Sequence, residues 1–409
     1  MNHIRTRKNN LCVENISTFS LTKKYKTPFY CYSLLQLKSN FYNFEKKFRK
    51  AKPLICFSVK SNSNVNLLRE LKKMGSGADV VSAGELLKAT RAGINPNKIV
   101  FSGVGKTNEE IKLAIKKRVL LINIESESEA KLINKISKDM SKVTPVGIRL
   151  NPNVTGKTNK KISTGSNDDK FGLNYKDFID LSKKIEKMKN LKLQGLSVHI
   201  GSQIINIKPF KLVLNIINKI INETKINFKF IDLGGGMGIS YSNKEKDLDL
   251  NQYAKIVNKF IKNKKTKIIF EPGRSIIGNT SILVSKVIYI KKNKKKNFVI
   301  LDAGMNDLMR PALYDAHHRI ILLKKKNNRI LRNVEFVGPI CESSDKFLNQ
   351  NKFPSLKAGD YVAITDVGAY GMSLASNYNS RPKIAEILVS GSTHKLIKKR
   401  QSLENLINN

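Results

Sequence analysis

Several residues in this 409-residue chain have types and spacing suited to chemistry. Lys60 follows directly on the apolar run PLICFSV, with Ser61 and Asn62 behind it. Burial and neighbouring cations depress an amine's pKa and favour its nucleophilic form, which makes Lys60 a candidate to form a Schiff base with a carbonyl. Taken alone, a strand-end lysine snorkelling to solvent is the plainer reading. The run GGGMG, Gly234 to Gly238, is either a tight turn or a place where bare backbone N–H groups let a phosphate approach closely. Glu271 and Arg274, in EPGR, read as an ion pair, or the glutamate can keep a protonated pyridine nitrogen positive so that the ring serves as an electron sink. His199 in HIGSQ is a site residue or a core histidine bonded to backbone.

Which reading holds depends on the elements that position these residues. From about residue 50 to 275, short apolar runs alternate with amphipathic stretches, the pattern of repeated βα units. Eight strands are predicted: 53–59, 78–81, 98–103, 120–124, 144–150, 193–200, 228–234 and 267–273. Helices begin after Thr107, with Glu110 completing a capping box, and after Ser128. The expected fold is α/β, a (β/α)8 TIM-like barrel whose strand C-termini hold the chemistry. After Gly278 the texture changes to TSILVSKVIYI, NFVILDAG, HRIILL, VEFVG, DYVAITDVG and PKIAEILVSG, which predicts a C-terminal antiparallel β domain. The expected division is a barrel over 36–275 and a β domain over 276–409 that takes in residues 1–35.

Composition narrows the function classes. The chain is 40% hydrophobic with apolar groups of strand and helix length throughout, which excludes a disordered tail protein. Cys12, Cys31, Cys56 and Cys341 form no CxxC pair or finger spacing, so no disulfide framework or metal site is expected, and a reducing cytoplasm fits. No signal-peptide core or spanning segment is read, and no membrane partner is expected. A formal net charge of +43 invites a nucleic-acid reading. The lysines are spread along the chain, and the densest runs, 291–296 and 324–326, lack aromatic interleaving. A solvated lysine-rich surface is therefore expected, without a specific nucleic acid.

If the barrel closes, its strand ends converge on one mouth, and they are polar. Lys60, Ser82 and Glu85, Ser102, Arg149 and Asn151, His199 with Ser202, the Gly234–Gly238 turn, and Glu271 to Arg274 all fall there. Read together with CFSVKSNSN, DVVSAGEL, KFGL, VHIGSQ, IDLGGGMGI, EPGRSI, MRPALYDAHH, GPICESSD and GAYGMSLASNYNSRP, they make the chain resemble the fold-type III pyridoxal-phosphate decarboxylases, from about Thr27 to Pro382. Within that family the resemblance is to the branch acting on meso-2,6-diaminopimelate, and it implies decarboxylation to L-lysine and CO2.

The resemblance assigns roles. Lys60 would hold the cofactor, pyridoxal 5'-phosphate, as a Schiff base; His199 would stack on its ring; Glu271 would pair with the ring nitrogen. Gly235, Gly236 and Gly238, with Ser202, the Pro272–Gly273–Arg274 backbone and Tyr370, would hold the phosphate. Arg310 and Tyr314 lie four apart, with Pro311 suited to a first helical turn, so both can share a helix face and, with Arg274 and Tyr370, clamp a carboxylate. Taken without the rest of the motif, they read as a surface helix. Cys341 would donate a proton to the substrate carbon and Glu342 would bind the distal ammonium, although a lone cysteine is usually a buried structural thiol. By the same resemblance the CESSD motif reaches the other subunit's site, implying a homodimer with shared active sites. Competing readings are a decarboxylase of ornithine, arginine or carboxynorspermidine, a non-catalytic relative, and a nucleic-acid binder. Residues 152–170 are either a lid or a plain loop.

Overall fold

The computed structural model describes residues 3–408 apart from 157, 158, 163, 167, 243, 244 and 326–328. The chain falls into two compact units, Phe41–Ile239 with Lys246–Ser275, and Met1–Asn40 with Ser240–Glu245 and Ile276–Asn409.

The first unit is a closed barrel of eight parallel strands: β1 (Leu54–Ser58), β2 (Gly77–Val80), β3 (Ile99–Phe101), β4 (Leu121–Ile124), β5 (Thr144–Leu150), β6 (Leu191–Val198), β7 (Phe230–Asp232) and β8 (Lys267–Phe270). All eight expected strands are present, with ends moved by a few residues. Leu54, Cys56, Val100, Leu121, Phe230 and Ile269 form an apolar cluster inside the barrel. Side chains alternate along a strand, so the residues two positions on face the same way. Those residues are Ser58, Ser102, Asn123, Asp232 and Glu271, with Asp79 in register beside Ser58. The barrel thus carries a polar layer above an apolar one, at its C-terminal end.

Helix starts follow side-chain capping. Thr107 and Glu110 form the expected capping box. The next helix, Glu127–Asp139, is capped by Ser126 rather than Ser128. Ser126 stands three residues before Glu129 and accepts its N–H at 3.1 Å, while the Glu129 carboxylate takes the Glu125 N–H at 2.7 Å.

In the second unit the strand Phe29–Ser33 lies between Ser281–Lys292, which it meets antiparallel, and Ala385–Ser390, which it meets parallel. Asn297–Leu301 and Ile330–Val337 also pair parallel, so the sheet is largely antiparallel but mixed. Phe29, Cys31, Ile282, Val284, Ala363, Ile387 and Val389 are part of its core, which explains why residues near the N-terminus belong here. Among the strands that escape the sequence pattern are Lys346–Pro354 and Thr393–Lys398, both polar and mostly turned to solvent, and the short strands Ile4–Arg7, Asn10–Val13 and Ile16–Ser17. In the segment 152–170, the positions 157, 158, 163 and 167 lie outside the described residues. Asn151 Nδ2 donates to the carbonyls of Ser166 and Phe171 at 2.8 and 3.0 Å, and Val154 N to that of Gly165 at 2.7 Å. Among the described residues no helix is long and apolar enough to cross a membrane.

Candidate active site

Lys60 sits in a single 3-10 turn, Val59–Ser61, at the exit of β1. Its Nζ is 3.3 Å from Asp79 Oδ2, and the same oxygen accepts from Ser58 Oγ at 2.7 Å. The partner of this amine is therefore a carboxylate, where the sequence reading expected cations. Asp79 is fully buried in β2, and its signal was an acid inside an otherwise apolar strand. The Lys60 side chain is 36% exposed, so it reaches the open end of the barrel. Glu85 also feels Lys60; burial pushes its carboxyl up to about 7.

His199 leaves β6 with Nδ1 accepting the Gly235 N–H at 3.1 Å, which puts the proton of a neutral ring on Nε2. Burial first, then the charges of Lys60 and Arg149, holds its pKa well below the usual histidine value. The ring is neutral at physiological pH. Arg149 itself is committed to Glu125, Nη1 to Oε1, at 2.9 Å.

The glycine turn after β7 is packed backbone to backbone. At Gly236, φ is +92° and a Cβ would stand 2.4 Å from the Gly201 carbonyl oxygen; at Gly235 one would stand 2.3 Å from that of Glu271. Gly235 N–H is taken by His199, and Gly238 N–H by the Ile204 carbonyl at 3.0 Å. Gly236 N–H has no partner among the described residues. Nearby, Arg274 Nη2 donates to Ser202 Oγ at 2.9 Å.

Glu271 is buried past the end of β8, its N–H donating to the Gly234 carbonyl at 2.8 Å. Glu271 Oε1 is reached by no N–H or hydroxyl donor among the described residues, and the carboxyl's side-chain neighbour is a second acid, Asp232. Burial, then the charges of Asp232 and Asp79, raises its pKa well above the carboxylate range. The Pro272 carbonyl accepts from Ser58 N at 3.2 Å, and Gly273 lies so close to Ser61 that a Cβ would come within 2.9 Å. The exits of β1, β6, β7 and β8 are thereby knitted into one surface.

This surface fits a pyridine phosphate. A buried carboxyl with an unclaimed oxygen suits a ring N–H, and an unspent glycine N–H beside a hydroxyl and a guanidinium suits a phosphate. A separate cavity of about 590 Å³ lies at the barrel's opposite end, lined by Leu120, Thr144 and Lys192 among others, and holds none of these residues. No cluster able to hold a metal occurs among the described residues.

The remaining candidates lie in the second unit. Arg310 begins the short helix Arg310–Tyr314 and is buried, with Nη1 2.8 Å from His318 Nε2 and its guanidinium 4.6 Å from the Tyr241 ring centre. His318 is fixed in turn by the Thr365 carbonyl, 2.8 Å from Nδ1. The sequence reading missed His318 and Tyr241, although His318 closes the MRPALYDAHH motif. Tyr314 is half-buried. Tyr370, also half-buried, has a φ of 58°. Cys341 is exposed, its N–H donating to Asn379 Oδ1 at 3.0 Å. Glu342 accepts from the Tyr378 hydroxyl and, at 2.8 Å, from Ser344 Oγ, and these bonds lower its pKa. Asp345, buried, anchors this loop by accepting the N–H groups of Ile340 and Met305, each at 2.7 Å.

Residues 34–278 match the family described as pyridoxal-dependent decarboxylase, pyridoxal binding domain. A diaminopimelate decarboxylase of Helicobacter pylori is 42% identical over 94% of this chain and 96% of its own. One from Haemophilus influenzae is 40% identical over 99% and 98%. The chain belongs to the pyridoxal-dependent diaminopimelate decarboxylases. A crystal structure of the Helicobacter pylori diaminopimelate decarboxylase complexed with L-lysine superposes with a TM-score of 0.91 at 41% identity, covering 96% of this chain and 98% of the other. As a member of this family the protein is a decarboxylase with pyridoxal phosphate as its cofactor.

Proposed function

We propose that this protein decarboxylates meso-2,6-diaminopimelate to L-lysine and CO2, in the cytoplasm, as a homodimer with shared active sites. Supporting this reading, one barrel mouth gathers an amine on a carboxylate, a neutral imidazole on a glycine turn, and a buried carboxyl with an unclaimed oxygen. The Helicobacter pylori relative's complex with L-lysine, the product of that reaction, supports the choice of substrate.

When bound, the cofactor supplies a conjugated pyridinium that accepts the electron pair of the departing carboxylate. Lys60 would hold the cofactor through its amine, which Asp79 positions at the barrel mouth. His199, uncharged, offers its ring face without competing with the pyridinium. Glu271 would accept a hydrogen bond from the ring nitrogen. The Gly236 N–H, Ser202, Tyr370 and the Pro272–Gly273–Arg274 turn would hold the phosphate, with Gly235 and Gly238, whose N–H groups are spent, leaving its approach free of side chains.

Arg274, Arg310, Tyr314 and Tyr370 bind the carboxylate that survives, Glu342 binds the distal ammonium, and Cys341 protonates the carbon that has lost CO2. On this reading the unit containing residues 276–409 completes the site, with Cys341 and Glu342 serving the partner subunit. A substrate without a distal carboxylate, such as ornithine, leaves the arginine clamp unpaired, which favours the diaminopimelate reading. The test is CO2 release from diaminopimelate, ornithine, arginine and carboxynorspermidine side by side. Diaminopimelate is expected to be turned over fastest by kcat/KM; faster release from any of the others overturns the assignment.

A further inference from the structure

Asp232 and Glu271 stand on neighbouring parallel strands, β7 and β8. Phe230 and Ile269, two residues earlier on each, face the apolar interior of the barrel. The two carboxyls therefore face the same interior, one layer higher. They are 1% and 7% exposed. Backbone links them: Gly234 N–H donates to Asp232 Oδ1 at 2.9 Å, and Glu271 N–H donates to the Gly234 carbonyl at 2.8 Å.

The side chains are themselves in hydrogen-bonding contact, while Asp232 Oδ2 and Glu271 Oε1 receive no bond from any other described residue. Two carboxylates have only acceptors, so that contact requires a proton on one of them. The surrounding charges make the same demand. Asp79 faces the pair from β2 as a third acid, and Lys60, already on Asp79, is the cation facing it. Asn123 on β4, Cys56 on β1 and Tyr253 on the helix Leu250–Ile261 also feel the pair and bring no positive charge. Burial pushes Asp232 up to about 7 and Glu271 higher than a carboxylate normally lies.

We propose that Asp232 and Glu271 share one proton in the cofactor-free protein, and that this proton is released to solvent when the cofactor's already protonated ring nitrogen seats against Glu271. The inference rests on the reading of Glu271 as the ring-nitrogen partner. The O–H bond of the pair breaks and its proton passes to solvent; the ring brings its own N–H proton, and no electrons change owner. Asp232 is a positioning residue, holding Glu271 and the glycine turn in one frame and sharing the proton.

The test uses the full chain freed of cofactor and 4'-deoxypyridoxine 5'-phosphate, a probe whose ring and phosphate are intact but which cannot bond to Lys60. Infrared difference spectra are recorded at neutral pH with 13C-labelled aspartate or glutamate. A protonated-carboxyl stretch sensitive to these labels is expected before the probe, with loss of one carboxyl equivalent on saturation. Glu271→Gln should lack the change; if that variant does not fold, the isotope shifts in the unsubstituted protein still assign it. Absence of the stretch beforehand, or its survival at saturation, overturns the shared proton and its release alone. A folded protein that does not bind the probe in calorimetry overturns the cofactor-site reading, and the proton release with it.

Discussion

Gly235 donates its N–H to Nδ1 of His199 at 3.1 Å, so the glycine turn and the imidazole form one unit. That bond needs a ring with a free Nδ1 lone pair, which protonation would destroy. The folded pKa of His199 lies below its unfolded value. Its contribution to stability is therefore complete above about pH 6.5 and is lost as pH falls below that value, at up to about 1.4 kcal/mol per pH unit. Raised carboxyls such as Asp307, pushed up to about 7 by burial, have the opposite slope, so the comparison must be between variants. Urea unfolding of the protein and of His199→Gln at pH 7.5 and below should show the variant's stability falling less steeply. Parallel curves would exclude a His199 held neutral in the folded protein.

Gly236→Ala should be costly. Its φ of +92° and the carbonyl of Gly201 where a methyl would go leave the turn no way to accommodate a side chain without moving. Strain of about 1–3 kcal/mol is expected from the backbone alone. The measurement is a thermal melt together with cofactor retention by visible absorbance after gel filtration, and both should fall.

His318→Ala tests how Arg310 is held. Removing the ring takes away a buried bond to a charged group, worth about 1.5–3 kcal/mol. A loss of roughly 10- to 100-fold in kcat/KM for diaminopimelate is expected, carried mainly by KM, with cofactor absorbance unchanged. Unchanged KM would show that Arg310 does not bind substrate.

Lys60→Ala should remove the visible absorbance of the bound cofactor and all measurable CO2 release. Cys341→Ala should keep the absorbance and lose about 10²–10⁴-fold in kcat, the usual contribution of a positioned proton donor. If the sites are shared between subunits, mixing the two inactive variants after subunit exchange gives heterodimers with one intact site, and roughly a quarter of full activity returns. No recovery, with exchange verified, would exclude sharing.

Much of the mouth of the barrel was legible because its logic is local. Apolar runs of strand length, each followed by polar or glycine residues, place Lys60, His199, Gly234–Gly238 and Glu271 at strand ends, and parallel closure brings strand ends together. What those residues touch was not legible. Asp79 reads as a stray acid in a strand, yet Lys60 and Ser58 both bond to it. Asp232 precedes the conspicuous glycines without announcing its contact with Glu271. His318 and Tyr241, which frame Arg310, come from segments with no shared pattern.

The sequence by itself determined the strands of the barrel, the turns that end them, and the family to which those turns point, because periodicity, glycine and capping act over a few neighbouring residues. Only the tertiary structure decided which acid meets which base and which carboxyl is left facing another. The physical reason is register: closing eight strands sets residues such as Ser58 and Asp79, or Asp232 and Ile269, side by side, and a buried charge can be matched only by the groups that closure brings within reach.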